Sequence, residues 1–290
     1  HSFLNGFIKT RKVSINLNKL FDQKKEIWSV FIKSNKKPKI NDKIIFDNEL
    51  FALIIDEIFD KNYQFFLIKF NLKSNDLKKK LNNFGKIPLP PYINKKRSID
   101  ENDFQDYQTV FAEKDGAVAS PTASLHFTKK LIKSLQIKKV NFINITLHVN
   151  GGTFLPIKTQ NIEDHKMHSE LGEISEDSAK RINKVRENGG RIIAVGTTVL
   201  RILESSKNSN GQILPFKGET NIFLKPGCVI NTVDGIITNF HTPKSSLLLL
   251  VFALLGKEKT LNLYNYAIKN RLRFFSYGDA CLIWNKYGKI

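Results

Sequence analysis

The sequence is poor in cysteine, histidine and carboxylates, and it has no long apolar run. Two cysteines occur in 290 residues, Cys228 and Cys281, far apart. That argues against a disulfide framework and for a reducing, cytoplasmic setting. The longest apolar stretch, Leu247 to Leu255, falls well short of the ~20 residues that span a bilayer. No secretory signal opens the chain, so no membrane association is expected. Neither G-x-G-x-x-G nor G-x-S-x-G is present, which disfavours a dinucleotide fold, the glycine loop of an ordinary methyltransferase and a serine hydrolase. There is no internal repeat and no low-complexity tract. Carboxylates number 27 against 46 lysines and arginines, a net charge of +19. Of these, 18 basic and 9 acidic residues lie before residue 93, so both parts of the chain are positive. Such a charge suits a polyanionic partner through phosphate contacts and counterion release. The abundance of Lys, Asn, Ile and Phe is also what an AT-rich genome imposes through its codons.

What is present reads as two regions. Up to about residue 72 the pattern is of short strands: Val13, Ile15 and Leu17 alternate with polar residues, and Ile27–Ile32, Lys43–Phe46, Phe51–Ile55 and Phe65–Phe70 follow between turn signals. This spacing predicts a small β-barrel. Leu77, Leu81 and Phe84 predict a helix stopped by Gly85. The segment from Ile87 to Tyr92, IPLPPY, can continue neither element, because proline removes a donor and restricts the residue before it. The expected domains are therefore 1–90, a small β-barrel, and 91–290, a main α/β domain. Beyond Tyr92, helices and strands alternate. Ser98 with Glu101 suggests a capping box for a helix through Phe111. Ser120-Pro121 suggests the start of a helix running to Leu135. Ile143 to Val149 alternates as a strand, Ser175 opens a helix that Gly189 ends, and Ile192–Val195 reads as a buried strand. The alternation predicts a largely parallel layer.

Chemistry concentrates in a few segments. IIAVGTTVLRILE, from Ile192 to Glu204, ends a buried strand at a glycine and starts a helix within two residues. Ligands bind at the carboxyl ends of such strands, and a helix N-terminus suits a carboxylate or phosphate. Thr197 and Thr198 can cap that helix, touch a ligand, or both; an ordinary βα turn would look the same. Five histidines are internal, and all lie in polar, turn-rich segments: His126, His148, His165, His168 and His241. That placement suits proton transfer near neutral pH. His165-x-x-His168 has a possible metal spacing but no third ligand nearby, so no metal is expected. RFFSYGDACLIW, from Arg273 to Trp284, offers a cation and aromatics able to stack a nucleobase, or simply core packing around a turn at Gly278. Lys78, Lys79 and Lys80, and Lys95, Lys96 and Arg97, are candidate phosphate contacts or plain solvated faces.

Taken together these segments resemble the S-adenosylmethionine:tRNA ribosyltransferase-isomerase family of the queuosine pathway. The blocks, in order, are GKIPLPPYI from Gly85, DYQTVFA from Asp106, GAVASPTASLHFT from Gly116, ITLHVNGGTFLPI from Ile145, HKMHSE from His165, AVGTTVLRILE from Ala194, PGCVINTVDGIITNFHTPKSSLLLLV from Pro226 and RFFSYGDA from Arg273. The resemblance spans about Phe3 to Trp284 and is weaker before Gly85. Departures are Ala117 where serine is usual, Ser124 and Asn150 where glycine is usual, and KTRKVSI from Lys9, which lacks a glycine pair and a glutamate. The chain begins at His1, and a front segment resembling NDTRVIPARL, part of the family's main domain, is expected to be missing.

The resemblance implies an α/β main domain with the barrel inserted in it. It implies S-adenosylmethionine as co-substrate with no tightly bound cofactor, tRNA carrying the deazaguanine precursor as partner, and a monomer. The ribosyl part of S-adenosylmethionine moves to the aminomethyl-deazaguanine at the wobble position and isomerises, giving epoxyqueuosine while adenine and methionine leave. The chemistry needs a base to take a proton from the ribose 5′ carbon next to the sulfonium, an acid for adenine, and anchors for methionine. His126, His148, His168 and His241 form the expected proton-transfer pool, with Glu170 and Asp279 as partners. Gly196, Thr197, Thr198 and Arg201 suit the methionine carboxylate or a phosphate. Asn239 and Lys244 flank His241, and Tyr107, Gln108, Thr153, Phe154, Arg273, Phe275 and Tyr277 complete the expected substrate set. The rival readings are a truncated relative that binds RNA without catalysis, and an ordinary RNA methyltransferase.

Overall fold

The structure is a computed structural model that describes residues 3–22, 24–60, 63–86, 89–90, 93, 97, 99–113, 119–148, 161–165, 167 and 169–286, without the side chains of Asn18, Lys19, Asp60 and Tyr63. The chain divides into two compact units, residues 1–105 with 115–119, and residues 106–114 with 120–290.

The first unit is built on a closed six-stranded barrel. Its strands are β1 (Phe3–Ile8), β2 (Arg11–Asp22), β3 (Ile27–Ser34), β4 (Lys43–Ile45), β5 (Phe51–Asp60) and β6 (Tyr63–Phe70), in the ring order β1-β2-β3-β6-β5-β4. Every neighbouring pair is antiparallel, and β1 closes the ring on β4 with Phe7 opposite Ile45. The period-two pattern turns alternate residues inward, so Leu4, Ile8, Val13, Ile15, Val30, Ile44, Ile54 and Ile68 fill the interior. Helix α1 (Ser74–Phe84) buries Leu77 and Leu81 in the same cluster, whereas Phe84 remains exposed. Its first turn is held by Glu26, whose carboxylate accepts from the Ser74 amide at 2.9 Å and hydroxyl at 2.8 Å. The expected helix from Ser98 to Phe111 is replaced, among the described residues, by one turn, α2 (Asp103–Asp106). Asp100 and Asp103 each accept from the other's amide, a local exchange that competes with a longer helix.

The second unit holds two three-stranded sheets. One has the order β10-β8-β7, made of β7 (Thr146–His148), β8 (Glu170–Ile174) and β10 (Phe216–Thr220), all antiparallel. The other has the order β12-β11-β9, made of β9 (Ile193–Val195), β11 (Gly235–Asn239) and β12 (Ala280–Trp284). Only β9 and β11 run parallel among the described strands, which corrects the expectation of a largely parallel layer. After its helix the chain crosses to the other sheet as β10, and β12 returns antiparallel, so alternation in sequence does not become a parallel sheet in space.

Helices α3 (Lys129–Ile137), α4 (Glu176–Glu187), α5 (Thr197–Ser206), α6 (Ser246–Leu255) and α7 (Lys257–Lys269) surround these sheets. Ser175 caps α4 as expected, and Gly189 follows it with φ 75°. The helix expected from Pro121 to Leu135 is broken in two. A 3-10 turn runs from Thr122 to His126, then Thr128 caps α3 by accepting from the Leu131 amide at 3.1 Å. Extended Phe127 separates them and packs with Phe111 and Phe142.

One core runs through the unit, including Ile174, Ala194, Leu200, Ile202, Ile236, Val251 and Leu254. Helix α5 is buried on nearly all sides, and two of its charged residues reach outward to fix neighbours. One carboxylate oxygen of Glu204 accepts from the Asn231 and Thr232 amides at 3.1 and 3.0 Å and from the Thr232 hydroxyl at 2.6 Å. The other accepts from Lys207 at 2.6 Å. This holds the segment that leads into β11. Glu204→Ala strips partners from two buried donors of Thr232 and a part-buried one of Asn231, and is expected to lower unfolding free energy by about 3–5 kcal/mol. Glu204→Gln, which keeps an acceptor, should cost roughly half as much; urea denaturation of both variants checks the ordering.

Candidate active site

The parallel pair fixes where ligands can approach. β9 ends at Val195, and Gly196, with φ 101°, turns the chain into α5 and donates its amide to the Ile237 carbonyl at 2.9 Å. A side chain at that φ would be strained, so the glycine is what permits so abrupt a turn. Neither Thr197 nor Thr198 caps the helix; the Thr198 hydroxyl donates instead to Glu170 at 3.2 Å. Next to β9, β11 ends at Asn239 and the chain passes through His241 and Lys244 into α6, which Ser245 caps by accepting from the Leu248 amide. Two helix N-termini therefore follow adjacent parallel strands, the arrangement that favours anionic groups at strand carboxyl ends.

Three segments meet at the end of β11. The Asn239 carboxamide accepts from the Thr122 hydroxyl at 2.9 Å and donates to the Gly278 carbonyl at 3.2 Å. His126 Nε2 lies 3.1 Å from that same carbonyl. A carbonyl only accepts, so Nε2 is the donor here, and in the neutral ring Nδ1 is then the acceptor. The loop from Arg273 to Asp279 is pinned by Phe275, at φ 72°, donating its amide to the Phe240 carbonyl at 3.0 Å. A Cβ on Gly278 would stand 2.5 Å from the Arg273 and Phe274 carbonyls, so only glycine fits this turn. Tyr277 packs its ring against Tyr107 at 5.5 Å between centroids. Asp279 accepts from the Arg273 guanidinium and amide, which hold its carboxyl below the usual range.

His241 stands at the same strand end but turns back into the protein. Its Nε2 is 2.8 Å from the Thr238 hydroxyl, and its amide donates to the Tyr264 hydroxyl at 3.0 Å. Phe240, its neighbour in the chain, packs with Tyr264 and Phe274, and these two with each other, edge to face or tilted. Burial lowers the imidazole to about 4 and raises the Tyr264 phenol to about 12, so both are neutral at pH 7.

Other expected residues lie elsewhere. Arg201 and Glu170 form a buried ion pair at 2.5 Å, their side chains 2% and 1% exposed. Arg201 also donates to the Ile222 and Thr220 carbonyls. This corrects the expectation that Arg201 meets a carboxylate or phosphate of substrate: it clamps β8, β10 and α5 together. Glu170, expected at the chemistry, is its counterion. His148 lies opposite Leu171, on the face of β7 and β8 turned from Glu170. Gln108 and Lys244 are exposed, Lys244 in a turn with φ 57°. His168, Thr153 and Phe154 lie outside the described residues, as do Lys95 and Lys96. In the first unit, Lys78 and Lys79 are exposed on α1, but Lys80 pairs with Asp47 and Glu49. Arg97 makes a bidentate pair with buried Asp103 at 2.7 and 2.6 Å. Lys80 and Arg97 thus already have carboxylate partners within the first unit. Among the described residues, no three His, Cys, Asp or Glu gather as metal ligands.

Sequence reasoning missed the bridging role of Thr122, Asn239 and the Gly278 carbonyl around His126. It also missed a polar cavity of about 390 Å³ lined by Asn183, Arg186, Gln212, Asn231 and Asp234. That cavity adjoins the amino ends of β9 and β11, and its groups satisfy one another: Arg186 donates to the Gly211 and Asn231 carbonyls, and Asp234 accepts from the Ile192 amide.

A family model described as queuosine biosynthesis protein matches residues 4–283. The S-adenosylmethionine:tRNA ribosyltransferase-isomerase of Zymomonas mobilis is 44% identical over 285 residues, covering 98% of this chain and 82% of that protein. That of Ruegeria pomeroyi is 48% identical over 256 residues, covering 88% and 72%. The crystal structure of S-adenosylmethionine tRNA ribosyltransferase from Thermotoga maritima is 27% identical, covers 97% of this chain and 78% of that one, and has a TM-score of 0.46.

Two outcomes follow for the buried groups. Arg201→Met leaves the Glu170 carboxylate buried without its cation and should cost about 3–5 kcal/mol in denaturant unfolding, whereas the double variant with Glu170→Gln recovers part of that loss. Unfolded His241 protonates near 6.5 and folded His241 only near 4. The unfolded chain binds the proton first, so the stability due to neutral burial is complete above about pH 6.5 and is lost as pH falls towards 4. His241→Asn should flatten the stability profile in that window; an unchanged slope would contradict the assignment.

Proposed function

The chain belongs to the queuosine biosynthesis protein family, and on that premise we propose that it is an S-adenosylmethionine:tRNA ribosyltransferase-isomerase. It takes the ribosyl part of S-adenosylmethionine to the 7-aminomethyl-7-deazaguanine at the tRNA wobble position, forms epoxyqueuosine, and releases adenine and methionine. The observation that carries this reading is the meeting of three family-like segments at one strand end: SPTASLHFT through Thr122 and His126, ITNFHTPKS through Asn239, and RFFSYGDA through Gly278. The N-termini of α5 and α6 open beside it.

In this reading a base removes the ribose 5′ proton next to the sulfonium. His126 is the group we assign to that step, because Gly278 holds its Nε2 and leaves Nδ1 as acceptor. His241, neutral and held by Thr238, acts as a hydrogen-bonding group and not as a cation. The amides at Gly196 to Thr198 take the methionine carboxylate. Arg201 and Glu170 act through α5 as positioning residues. Asp279, with Arg273, shapes the loop that carries Tyr277. His148, His168, Thr153 and Phe154 remain candidates for tRNA or for adenine protonation. The working unit is one chain with no resident cofactor, residues 1–90 forming a small barrel domain and residues 91–290 the main α/β domain, in the cytoplasm. No helix among the described residues is long and apolar enough to cross a membrane.

Incubation with S-adenosylmethionine and precursor-bearing tRNA should release adenine and methionine in step with loss of the precursor base. His126→Ala should slow adenine release by about 10²–10⁴ with little change in tRNA affinity. Appearance of S-adenosylhomocysteine would identify a methyltransferase, and RNA binding with no affinity for S-adenosylmethionine would identify a non-catalytic binder; either overturns the proposal.

A further inference from the structure

The outer surface of the barrel carries an arrangement that the chemistry above does not use. Phe7 on β1 lies opposite Ile45 on β4, and Ile45 lies opposite Phe51 on β5. Leu53, two residues further along β5, stands between Lys43 and Lys69 on the neighbouring strands. Phe7 is 49% exposed, and Ile45 and Leu53 are 42% exposed each. Their inward neighbours Ile8, Ile44, Ala52 and Ile54 fill the barrel, and the outward set lies outside that core.

Charge distinguishes this face from an ordinary apolar patch. Lys12 lies opposite Phe7 on β2, and it is exposed together with Lys43 and Lys69. Lys43 Nζ sits 3.7 Å from the Phe51 ring centroid. None of the outward positions on β1, on β4 or on β5 as far as Leu53 is acidic. The carboxylates of the adjoining turns are taken up by other cations, Asp42 by Arg11 and Asp47 and Glu49 by Lys80. Among the described residues no carboxylate pairs with Lys12, Lys43 or Lys69. A contiguous exposed apolar patch marks an interaction site. Aromatic rings rimmed by unpaired lysines suit a chain of stacked bases with phosphates between them.

We propose that the outward face of β1, β4 and β5 binds RNA, stacking unpaired nucleotides of the tRNA on Phe7 and Phe51 while Lys12, Lys43 and Lys69 meet the phosphates. The identity of that RNA as tRNA rests on the proposed function; the binding surface does not.

Two variants test it: Phe7→Ala, and Lys12→Gln with Lys43→Gln and Lys69→Gln. Both change exposed residues, and thermal melts alongside wild type confirm folding. The probes are a 12-nucleotide single-stranded RNA and an unmodified tRNA transcript, without S-adenosylmethionine, so the result is independent of whether adenine is ever released. The lysine variant should bind both probes at least 10-fold more weakly, with the slope of log affinity against log salt reduced by about 2, at ~0.7 per phosphate contact. Phe7→Ala should weaken binding by about 5- to 100-fold, as loss of one stacked base does, and Phe7→Trp should restore it. In turnover both variants should raise KM for tRNA while leaving kcat and KM for S-adenosylmethionine unchanged. Unaltered RNA affinity in both variants would overturn the proposal. So would a wild-type dimer in light scattering that Phe7→Ala converts to a monomer, since a second copy would then be the occupant.

Discussion

Two opposite charges buried on one helix organise the second unit. Arg201 and Glu204 lie one turn apart on α5, and each is almost wholly removed from water. A buried charge is tolerable only when paired and hydrogen-bonded, so each dictates what surrounds it. Arg201 requires Glu170 on β8 and carbonyls at Thr220 and Ile222. Glu204 requires the amides at Asn231 and Thr232 and the Lys207 ammonium. One helix thereby fixes an antiparallel sheet on one side and the approach to β11 on the other. Desolvation lowers the Arg201 guanidinium, and the Glu170 charge opposes part of that shift.

The consequence appears at the other end of the same helix. With α5 held along its length, its N-terminus at Gly196 is held too, one hydrogen bond from β11 through the Ile237 carbonyl. β11 then sets Asn239, which ties the Thr122 turn to the Gly278 turn and leaves His126 against the same carbonyl. A rigid core so delivers a histidine, two turns and two helix N-termini to one strand end, with loops supplying the chemistry and the scaffold supplying the position.

Much of this was legible from residue pattern. Alternation at Val13, Ile15 and Leu17 announced the barrel because its walls bury one face only, and all three are buried. The strand Ile193–Val195 and its glycine turn were readable because an apolar run ending in glycine has few other structures. β1 was missed: FLNGFI carries the Asn-Gly signature of a turn, yet the segment pairs along its length with β2. The helix after Pro121 was read as continuous because nothing in the sequence weighs the cap at Thr128 against propagation through Phe127. The parallel layer was misjudged because alternation of elements says nothing of which sheet the next strand joins. At the site, residue types suggested chemistry, but partners did not. Arg201 looked like an anion anchor until Glu170, 31 residues away in sequence, proved to be its partner, and His241 looked like a free base until burial placed it near 4.

In the proposed reaction the carboxyl ends of β9 and β11 hold S-adenosylmethionine beside His126. The decisive measurement is a crystal structure with S-adenosylmethionine bound. The methionine carboxylate is expected on the amides at Gly196 to Thr198 and the ribose 5′ carbon within reach of His126. Density for the ligand in the polar cavity by Asn183 and Arg186, at the amino ends of these strands, would contradict that placement.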